Sequence, residues 1–234
     1  MVRGSAQTAA EVSVGRRERG GAGRGGGTRR GREIDAALQR AYPDARCALD
    51  HRNAFELLVA TVLSAQTTDE RVNTVTPELF DRWPTPADLA AASEDDVRAV
   101  VRVLGFQARR AGQLIGLAAA LERDHAGEVS ADRDALTALP GVGRKTAHVV
   151  LGNVFDVPAI TVDTHVGRLA RRLGLTAADA PLAVEKDLAR ELPEADWTFA
   201  CHRLIAHGRA VCTSRAPACG ACVLADLCPR VGVV

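Results

Sequence analysis

Apolar residues recur along much of the chain at the spacing of an α-helix. The stretches that show it best are Phe55, Leu58, Val59, Val62 and Leu63, then Val97, Val100, Val101 and Leu104, and then Ala147, Val150, Leu151 and Val154. Steps of three and four residues place such side chains on one face of a helix. The alternation typical of strands is scarce, and only residues 159–162 resemble a short strand. The pattern predicts an all-α fold with short loops.

The composition supports a folded core and sets one region apart. Hydrophobic residues make up 47% of the 234 residues and aromatic residues only 3%, so the predicted core is aliphatic. No apolar run is long enough to cross a membrane. Residues 1–32 hold nine glycines and eight arginines and carry a charge of +6, which leaves −5 for the rest. We expect residues 1–32 to be a disordered basic tail, which either adds salt-sensitive attraction to nucleic acid or has no task.

A glycine-bounded turn lies in the middle of the chain. The segment 139–147 reads Leu-Pro-Gly-Val-Gly-Arg-Lys-Thr-Ala, with a short predicted helix at 133–138 before it and an apolar helical face after it. Glycine permits the left-handed backbone that tight turns need. The N–H groups at the start of the second helix form an anion site. The segment predicts a helix–hairpin–helix in which Gly141 and Gly143 hold a phosphate.

The lysine of this turn is unusual for the chain. Lys145 is one of two lysines, against 28 arginines. Arginine supplies charge equally well, but its guanidinium does not lose its proton in proteins. A primary amine can attack an electrophilic carbon and form an imine. We expect Lys145 to be a Schiff-base nucleophile, whereas the other lysine, Lys186, fits a solvated helix residue.

A carboxylate follows the turn at a short distance along the chain. Asp163 precedes a predicted helix at 164–173 that Gly174 would end, which is the position of an N-cap. Capping is compatible with catalysis, because a cap carboxylate is fixed in place. A carboxylate near an anomeric carbon can stabilise an oxocarbenium-like centre or relay a proton. We expect His165 to be structural or to contact DNA.

Four of the six cysteines lie close together near the C-terminus. Cys212, Cys219, Cys222 and Cys228 fall within seventeen positions, which predicts a metal site in an intracellular chain. The sequence has no secretory signal, which argues against disulfides. Four thiolates suit either zinc or an iron–sulfur cluster. Cys47 and Cys201 are expected to be ordinary buried thiols.

Taken together, these motifs resemble those of the endonuclease III family. The segment 139–147 looks like the family's hairpin, and Val-Asp-Thr-His at 162–165 matches its catalytic aspartate segment. The resemblance implies that Lys145 attacks the deoxyribose with Asp163 beside it. The cysteine spacing matches the family's 4Fe–4S loop and implies that cofactor. Over residues 33–230, the resemblance implies two helical domains with a DNA-binding cleft between them.

The implied domains divide the chain unevenly. Residues 47–157 would form a barrel of helices that carries the hairpin, and residues 33–46 with 158–234 would form the iron–sulfur cluster domain. The implied activity is that of a bifunctional DNA glycosylase and AP lyase in base excision repair. It would excise oxidised pyrimidines through the lysine Schiff base and cut the strand 3′ to the abasic site by β-elimination. The implied setting is a monomer on damaged or abasic duplex DNA, at the nucleoid in a bacterial cytoplasm.

The chemistry requires the nucleotide to leave the base stack. The resemblance implies that Gln66 and an apolar wedge, Phe106, fill the gap that remains; the alternatives are a polar helix end for Gln66 and a core aromatic for Phe106. The other implied DNA contacts and pocket residues are Gly141, Gly143, Arg144, Arg168 and Arg215, with Ser64, Asp69 and His165 in the pocket. We expect Arg144, Lys145, Arg168, Arg171 and Arg172 to form a local basic patch. Residues 213–218 contain a single basic residue, fewer than the family's loop, and Arg209 is a nearby candidate to compensate.

Two other functions are compatible with part of the sequence. An adenine glycosylase of the mispair-repair type shares the cysteine spacing, but that family usually lacks the lysine found at position 145. A noncatalytic DNA-binding module held together by metal would explain the hairpin and the cysteines. It would leave Lys145 and Asp163 as coincidences.

Overall fold

The structure is a computed structural model that describes residues 26–233. These residues form twelve α-helices joined by short loops and three 3₁₀ turns, and they contain no strand, which confirms the all-α prediction. The helices are α1 Arg29–Ala41, α2 Ala54–Leu63, α3 Asp69–Asn73, α4 Thr76–Arg82, α5 Pro86–Ala90, α6 Glu94–Val101, α7 Gln107–His125, α8 Arg133–Ala138, α9 Arg144–Val154, α10 Thr164–Arg172, α11 Pro181–Glu191 and α12 Trp197–Ala210. None of them is long and apolar enough to span a membrane.

Local sequence sets where many of these helices begin. Six N-cap side chains accept a backbone N–H three residues ahead: Thr28, Asn53, Thr68, Thr85, Asp132 and Asp163. Each of these caps satisfies one of the N–H groups that a helix start leaves without a partner. The caps fix the helix boundaries, and two of them lie on either side of the hairpin.

Helices α2 to α9 surround the larger of two hydrophobic cores, and we call them the hairpin unit. Helix α2 lies at its centre, since nine of its ten residues are buried. Helix α7 packs against α5 and α6, and α9 packs against α2. The core is almost entirely aliphatic, as the low aromatic content predicts, and it provides a rigid base for the hairpin between α8 and α9.

Helices α1 and α10 to α12, together with the C-terminal cysteine loop, surround the second core, and we call them the cysteine unit. Helix α12 packs against both α1 and α10, so the unit combines the two ends of the described chain. A buried ion pair joins α1 to α12, in which the Arg203 Nη1 lies 2.5 Å from the Asp35 Oδ1. Helix α9 also contacts α12 and so connects the two units. The two cores consist of separate sets of buried residues, and the domains with boundaries at 46/47 and 157/158 remain a prediction.

The predicted disorder of residues 1–32 is wrong for its last part. Helix α1 begins at Arg29, and the Arg30 guanidinium donates to the carbonyls of Leu173 and Leu227. Gly31 lies against the Glu191 carbonyl, where an added Cβ would come within 2.0 Å of the oxygen. The composition concealed this helix, because glycine serves here for close packing rather than for freedom. Residues 1–25 lie outside the described residues.

Candidate active site

A cleft between the two units contains the residues predicted for catalysis. Its cavity has a volume of about 870 Å³, within the roughly 300–1,000 Å³ range of small-molecule sites. The predicted residues that line it are Lys145, Asp163, Ser64, Asp69 and His165. Lys145 comes from the hairpin unit and Asp163 from the cysteine unit, so the cleft brings together two side chains from different cores.

The hairpin in front of α9 has the geometry of an anion-binding turn. Gly141 has a φ of +78°, and a Cβ there would lie 3.1 Å from the Gln113 amide nitrogen. Val142 is buried and anchors the tip. Gly143 is the N-cap of α9 and brings no side-chain acceptor. The N–H groups of the first turn are therefore available to a negatively charged ligand at the positive end of the helix.

Lys145 is the second residue of α9 and is exposed at the cleft. Its ammonium has no carboxylate oxygen within 4.0 Å among residues 26–233. Asp163 caps α10, and its Oδ1 accepts the Val166 N–H at 2.7 Å. Its Oδ2 has no hydrogen-bond donor within the described chain. The amine and the carboxylate thus share a cavity without pairing, which leaves room for a reacting group between them.

Two ion pairs tie the units together at the edges of the cleft. Arg144 donates two hydrogen bonds to Glu185, at 2.9 and 2.6 Å. Burial alone would raise the pKa of the Glu185 carboxyl, but the Arg144 hydrogen bond and nearby His148 hold that pKa below its usual value. Arg144, predicted to contact DNA, therefore also anchors the start of α9 to α11. That anchor fixes where Lys145 stands.

The second ion pair crosses the cleft itself. Asp69, a predicted pocket residue at the start of α3, accepts a hydrogen bond from Arg209 of α12 at 2.8 Å. That hydrogen bond raises the pKa of Arg209. Ser64, also predicted for the pocket, donates to the Thr61 carbonyl at 2.8 Å. Arg209 lines the same cavity. Its role in compensating for the sparsely basic loop stays a prediction, and nothing in the sequence indicates its contact with Asp69.

Two groups on α12 give one wall of the cleft a low-dielectric character. Cys201 is 1% exposed, and burial raises the pKa of its thiol to about 12. Burial, assisted by Arg203, lowers the pKa of His202 to about 4. His202 Nε2 lies 2.8 Å from the Asn153 amide oxygen. Both side chains are therefore neutral at pH 7, so this wall adds no charge to the charged residues that line the cavity with Lys145.

The two predicted insertion residues stand out on the surface of the hairpin unit. Phe106 is 67% exposed, which makes the alternative of a core aromatic wrong. Gln66 is exposed as well. Both have left-handed backbones, with φ of +62° at Gln66 and +49° at Phe106. Such φ values are uncommon outside glycine and cluster at functional sites.

The four predicted cysteine ligands line one small cavity in the cysteine unit. Their thiols form no disulfide, and the surrounding donors are those that an iron–sulfur cluster uses. Leu224 N–H donates to the Cys222 Sγ, and Arg230 N–H to the Cys228 Sγ, at 3.4 Å each. Within the described residues no group of three ligands is arranged round a single metal ion. Four cysteine side chains around one cavity, two of them accepting backbone N–H groups, are a donor set that suits a cluster held by four cysteines.

Two arginines predicted to join the basic patch turn inward instead. The Arg168 guanidinium donates to the carbonyls of Gly208 and Cys212, at 2.9 and 3.0 Å. Arg172 is buried and donates to the Thr213 carbonyl and to the Cys212 Sγ. Helix α12 ends nearby and presents its carbonyls there, which explains the attraction. We therefore assign Arg168 to holding the end of α12 and the start of the cysteine loop rather than to contacting DNA.

The remaining predicted contacts keep surface positions. Arg215 is exposed on the cysteine loop and has no partner within the described chain. Arg171 lines the cleft, with its Nε 3.5 Å from an Asp179 oxygen. His165 also lines the cleft, and its Nδ1 lies 3.1 Å from the Arg168 guanidinium. These placements leave Arg215 free for a polyanion and give His165 a supporting position beside the cavity.

Comparison with known proteins matches both the hairpin and the cysteine loop. Residues 59–194 match the model of the HhH-GPD superfamily of base excision DNA repair proteins, and residues 212–228 match the iron-sulfur binding domain of endonuclease III. These matches define the class as base excision DNA repair proteins. At the level of the fold, a solved structure described as a trapped endonuclease III–DNA covalent intermediate has a TM-score of 0.81 and 44% identity, covering 85% of this chain and 94% of that one.

Curated relatives narrow the class further. Endonuclease III of Synechocystis is 47% identical over 86% of this chain and 92% of its own length. Endonuclease III of Bacillus subtilis is 45% identical over 80% of this chain and 86% of its own length. The chain belongs to the endonuclease III family. The predicted enzyme class is confirmed with it: a DNA glycosylase and AP lyase of base excision repair whose C-terminal loop takes a 4Fe–4S cluster.

Proposed function

We propose that Lys145 is the nucleophile and Asp163 its proton-transfer partner in excision of oxidised pyrimidines from duplex DNA. The observation that carries the proposal is their arrangement: an unpaired amine and a carboxylate with one free oxygen share a nucleotide-sized cleft. The left-handed, exposed Gln66 and Phe106 support extrusion of the nucleotide into it. Neither the mispair glycosylase nor the noncatalytic module accounts for an unpaired lysine at this place.

The reaction follows from the chemistry of an amine at C1′. The Lys145 Nζ forms a bond to C1′ while the bond from C1′ to the base breaks, and the base leaves with a proton. The sugar ring then opens to an imine between Nζ and C1′. The imine acidifies C2′, and loss of a C2′ proton expels the 3′ phosphate from C3′. That β-elimination cuts the strand on the 3′ side of the site.

Asp163 serves these steps through its position. Its Oδ1 is held by the Val166 N–H, so its Oδ2 is the oxygen that faces the reaction. A carboxylate there can stabilise the developing positive charge at C1′ and carry protons to and from the amine. Cys201 and His202, which line the same cavity, are neutral and add no further charge to it.

The hairpin and the cysteine loop hold the DNA on either side of the cleft in this proposal. The first-turn N–H groups of α9, with Gly141 and Gly143 before them, would take one phosphate. A 4Fe–4S cluster on Cys212, Cys219, Cys222 and Cys228 would supply structure, holding the loop that presents Arg215. We further propose a monomer that works on the bacterial nucleoid, in line with the bacterial relatives.

Borohydride trapping on a duplex with one abasic site tests the proposal. The imine is reduced to a stable amine, so the unaltered protein should form a covalent adduct with DNA. Lys145→Gln should abolish the adduct, and Lys186→Gln, which removes the other lysine, should leave it unchanged. Absence of an adduct with the unaltered protein, or persistence of the adduct in Lys145→Gln, would reject Lys145 as the nucleophile.

The choice of lesion is tested separately. Duplexes that each carry one oxidised pyrimidine, one oxidised purine or an adenine mispair are compared by single-turnover release of the base. We expect the oxidised pyrimidines to react fastest. Preferred release of adenine would favour the mispair glycosylase instead.

A further inference from the structure

One buried arginine connects the two loops that carry the exposed, left-handed residues. Arg110 lies in the first turns of α7 and is 6% exposed. Its Nε donates to the Gly105 carbonyl at 2.9 Å, and its two terminal nitrogens donate to the carbonyls of Leu63 and Ala65 at 2.6 and 2.9 Å. Within residues 26–233 no carboxylate pairs with it. Its charge is therefore satisfied by main-chain oxygens alone.

The carbonyl oxygens that Arg110 binds include those just before the two exposed residues, Gln66 and Phe106. The Ala65 carbonyl belongs to the peptide that immediately precedes Gln66, and the Gly105 carbonyl to the peptide that immediately precedes Phe106. One planar guanidinium thus fixes both peptide planes from which the two side chains project. Lysine could not do the same, because its ammonium lacks the rigid fork of donors.

The end of α2 shows that this contact is needed locally as well. A helix leaves its last four carbonyls without intrahelical partners. The Ala60 and Val62 carbonyls accept the Ser64 and Ala65 N–H groups, and the Thr61 carbonyl accepts the Ser64 hydroxyl. The Leu63 carbonyl, the fourth, is satisfied by Arg110. The turn that carries Gln66 is therefore bonded to α7 through Arg110.

A second, weaker tie runs in parallel on the surface. The Arg71 guanidinium of α3 donates to the Val103 carbonyl at 3.1 Å, in the 3₁₀ turn just before Gly105. Gly105 itself has a φ of +73° and open space around it. The Phe106 loop is thus held from two sides by arginine contacts to its backbone.

We propose that Arg110 is a positioning residue that holds Gln66 and Phe106 at one fixed separation before DNA arrives. The proposal rests on the proposed function, in which these two residues fill the gap that an extruded nucleotide leaves. Insertion at two points succeeds only if the points match the spacing of the base stack. A pair of loops ordered in advance avoids the entropy of ordering them during extrusion.

The main test compares substrates that do and do not need a gap filled. Arg110→Lys keeps the charge, and single-turnover borohydride trapping is measured on an abasic site in a duplex and in a single strand. We expect about a tenfold lower rate on the duplex, the factor that about 1.4 kcal/mol in a barrier produces, and a near-unchanged rate on the single strand. Arg123→Lys, an exposed arginine at the far end of α7, is the matched control.

A double-mutant cycle separates positioning from general stability. The Arg110→Lys change is repeated in a protein that also carries Gln66→Ala and Phe106→Ala. If Arg110 acts through those side chains, its effect on duplex trapping should nearly vanish there, because interacting sites are not additive. An equal loss in both backgrounds, or an equal loss on both substrates, would overturn the proposal.

A measurement on the unaltered, DNA-free protein tests the proposal without any variant. Backbone ¹⁵N relaxation should give Gln66 and Phe106 the order parameter S² of the rigid α7 backbone, about 0.85, whereas S² values below about 0.6 would overturn the proposal. Failure of the proposed function would look different, since the unaltered protein would then form no adduct on either substrate while the two loops could still be rigid.

Discussion

The two units of the molecule reach a stable fold by different means. The hairpin unit has 30 buried hydrophobic residues in its core, and the cysteine unit has 16. The smaller core adds a buried ion pair between Asp35 and Arg203, and Arg168 and Arg172 donate to main-chain oxygens around the cysteine loop. A polar network tolerates the loss of a member poorly. The hairpin unit should therefore depend on packing, and the cysteine unit on its cluster and its arginines.

Loss of a cluster ligand should have the largest effect and should separate the units. We expect Cys222→Ser to remove most amide-exchange protection from α1 and α10 to α12, while α2 and α7 retain theirs. The free energy involved is a large part of the about 5–15 kcal/mol that a domain has in total. Cys47→Ser, outside the cysteine loop, is the control. Equal loss of protection in both units would contradict the comparison.

Removal of a side chain from the larger core should come next. Leu114 on α7 is fully buried, so Leu114→Ala should lower the free energy of unfolding by about 2–5 kcal/mol through the cavity it leaves. Denaturant unfolding measures the change. Leu182, which is 48% exposed on α11, provides the control, since Leu182→Ala should cost less than about 0.5 kcal/mol. Similar values for both would mean that packing does not distinguish them.

Acid should weaken the cysteine unit through His202. Burial holds the pKa of His202 at about 4 in the folded protein, below about 6.5 in an unfolded chain. The unfolded state therefore binds the extra proton, so stability is full above about pH 6.5 and falls as pH drops towards 4, by up to about 3 kcal/mol. His202→Gln should flatten this part of the pH profile, measured by denaturant unfolding between pH 7 and 4. An unchanged slope would assign the acid sensitivity elsewhere.

The ion pair across the cleft should have the smallest effect on stability. Asp69 and Arg209 are 25% and 45% exposed in their side chains, and exposed pairs contribute about 0–1 kcal/mol. Asp69→Asn, Arg209→Gln and the double change together give the coupling energy from thermal unfolding. The outer pair Arg29 and Glu33 serves for comparison. A coupling above about 2 kcal/mol would mean that this contact is a principal link between the units.

Sequence reasoning succeeded where the signal was local. The helix at 133–138, the Asp163 cap and the end of α10 before Gly174 all appear as the residue types predict. The four clustered cysteines could also be recognised as one site from the sequence, because they lie in a single short motif. In these cases a few neighbouring residues determine the structure, and their chemistry is visible in the chain.

Other features of the site could not be predicted from the sequence, because they depend on contacts between residues distant in the chain or on the backbone conformation. Arg110 acts through carbonyl oxygens, which every residue has, so nothing in the sequence distinguishes it from the other arginines. Arg209 and Asp69 meet only after two units come together. The left-handed backbones of Gln66 and Phe106 are set by the loops around them, since neither residue type favours that conformation.

The pairing of α1 with α12 has a consequence for how the protein is made. Asp35 and Arg203 are 168 positions apart in the chain, so α1 leaves the ribosome long before its partner exists. The hairpin unit, continuous in sequence, can form on the nascent chain in the meantime, as domains generally fold as units during synthesis. The cysteine unit must close last, so the hairpin between α8 and α9 is already in place when the cluster is inserted.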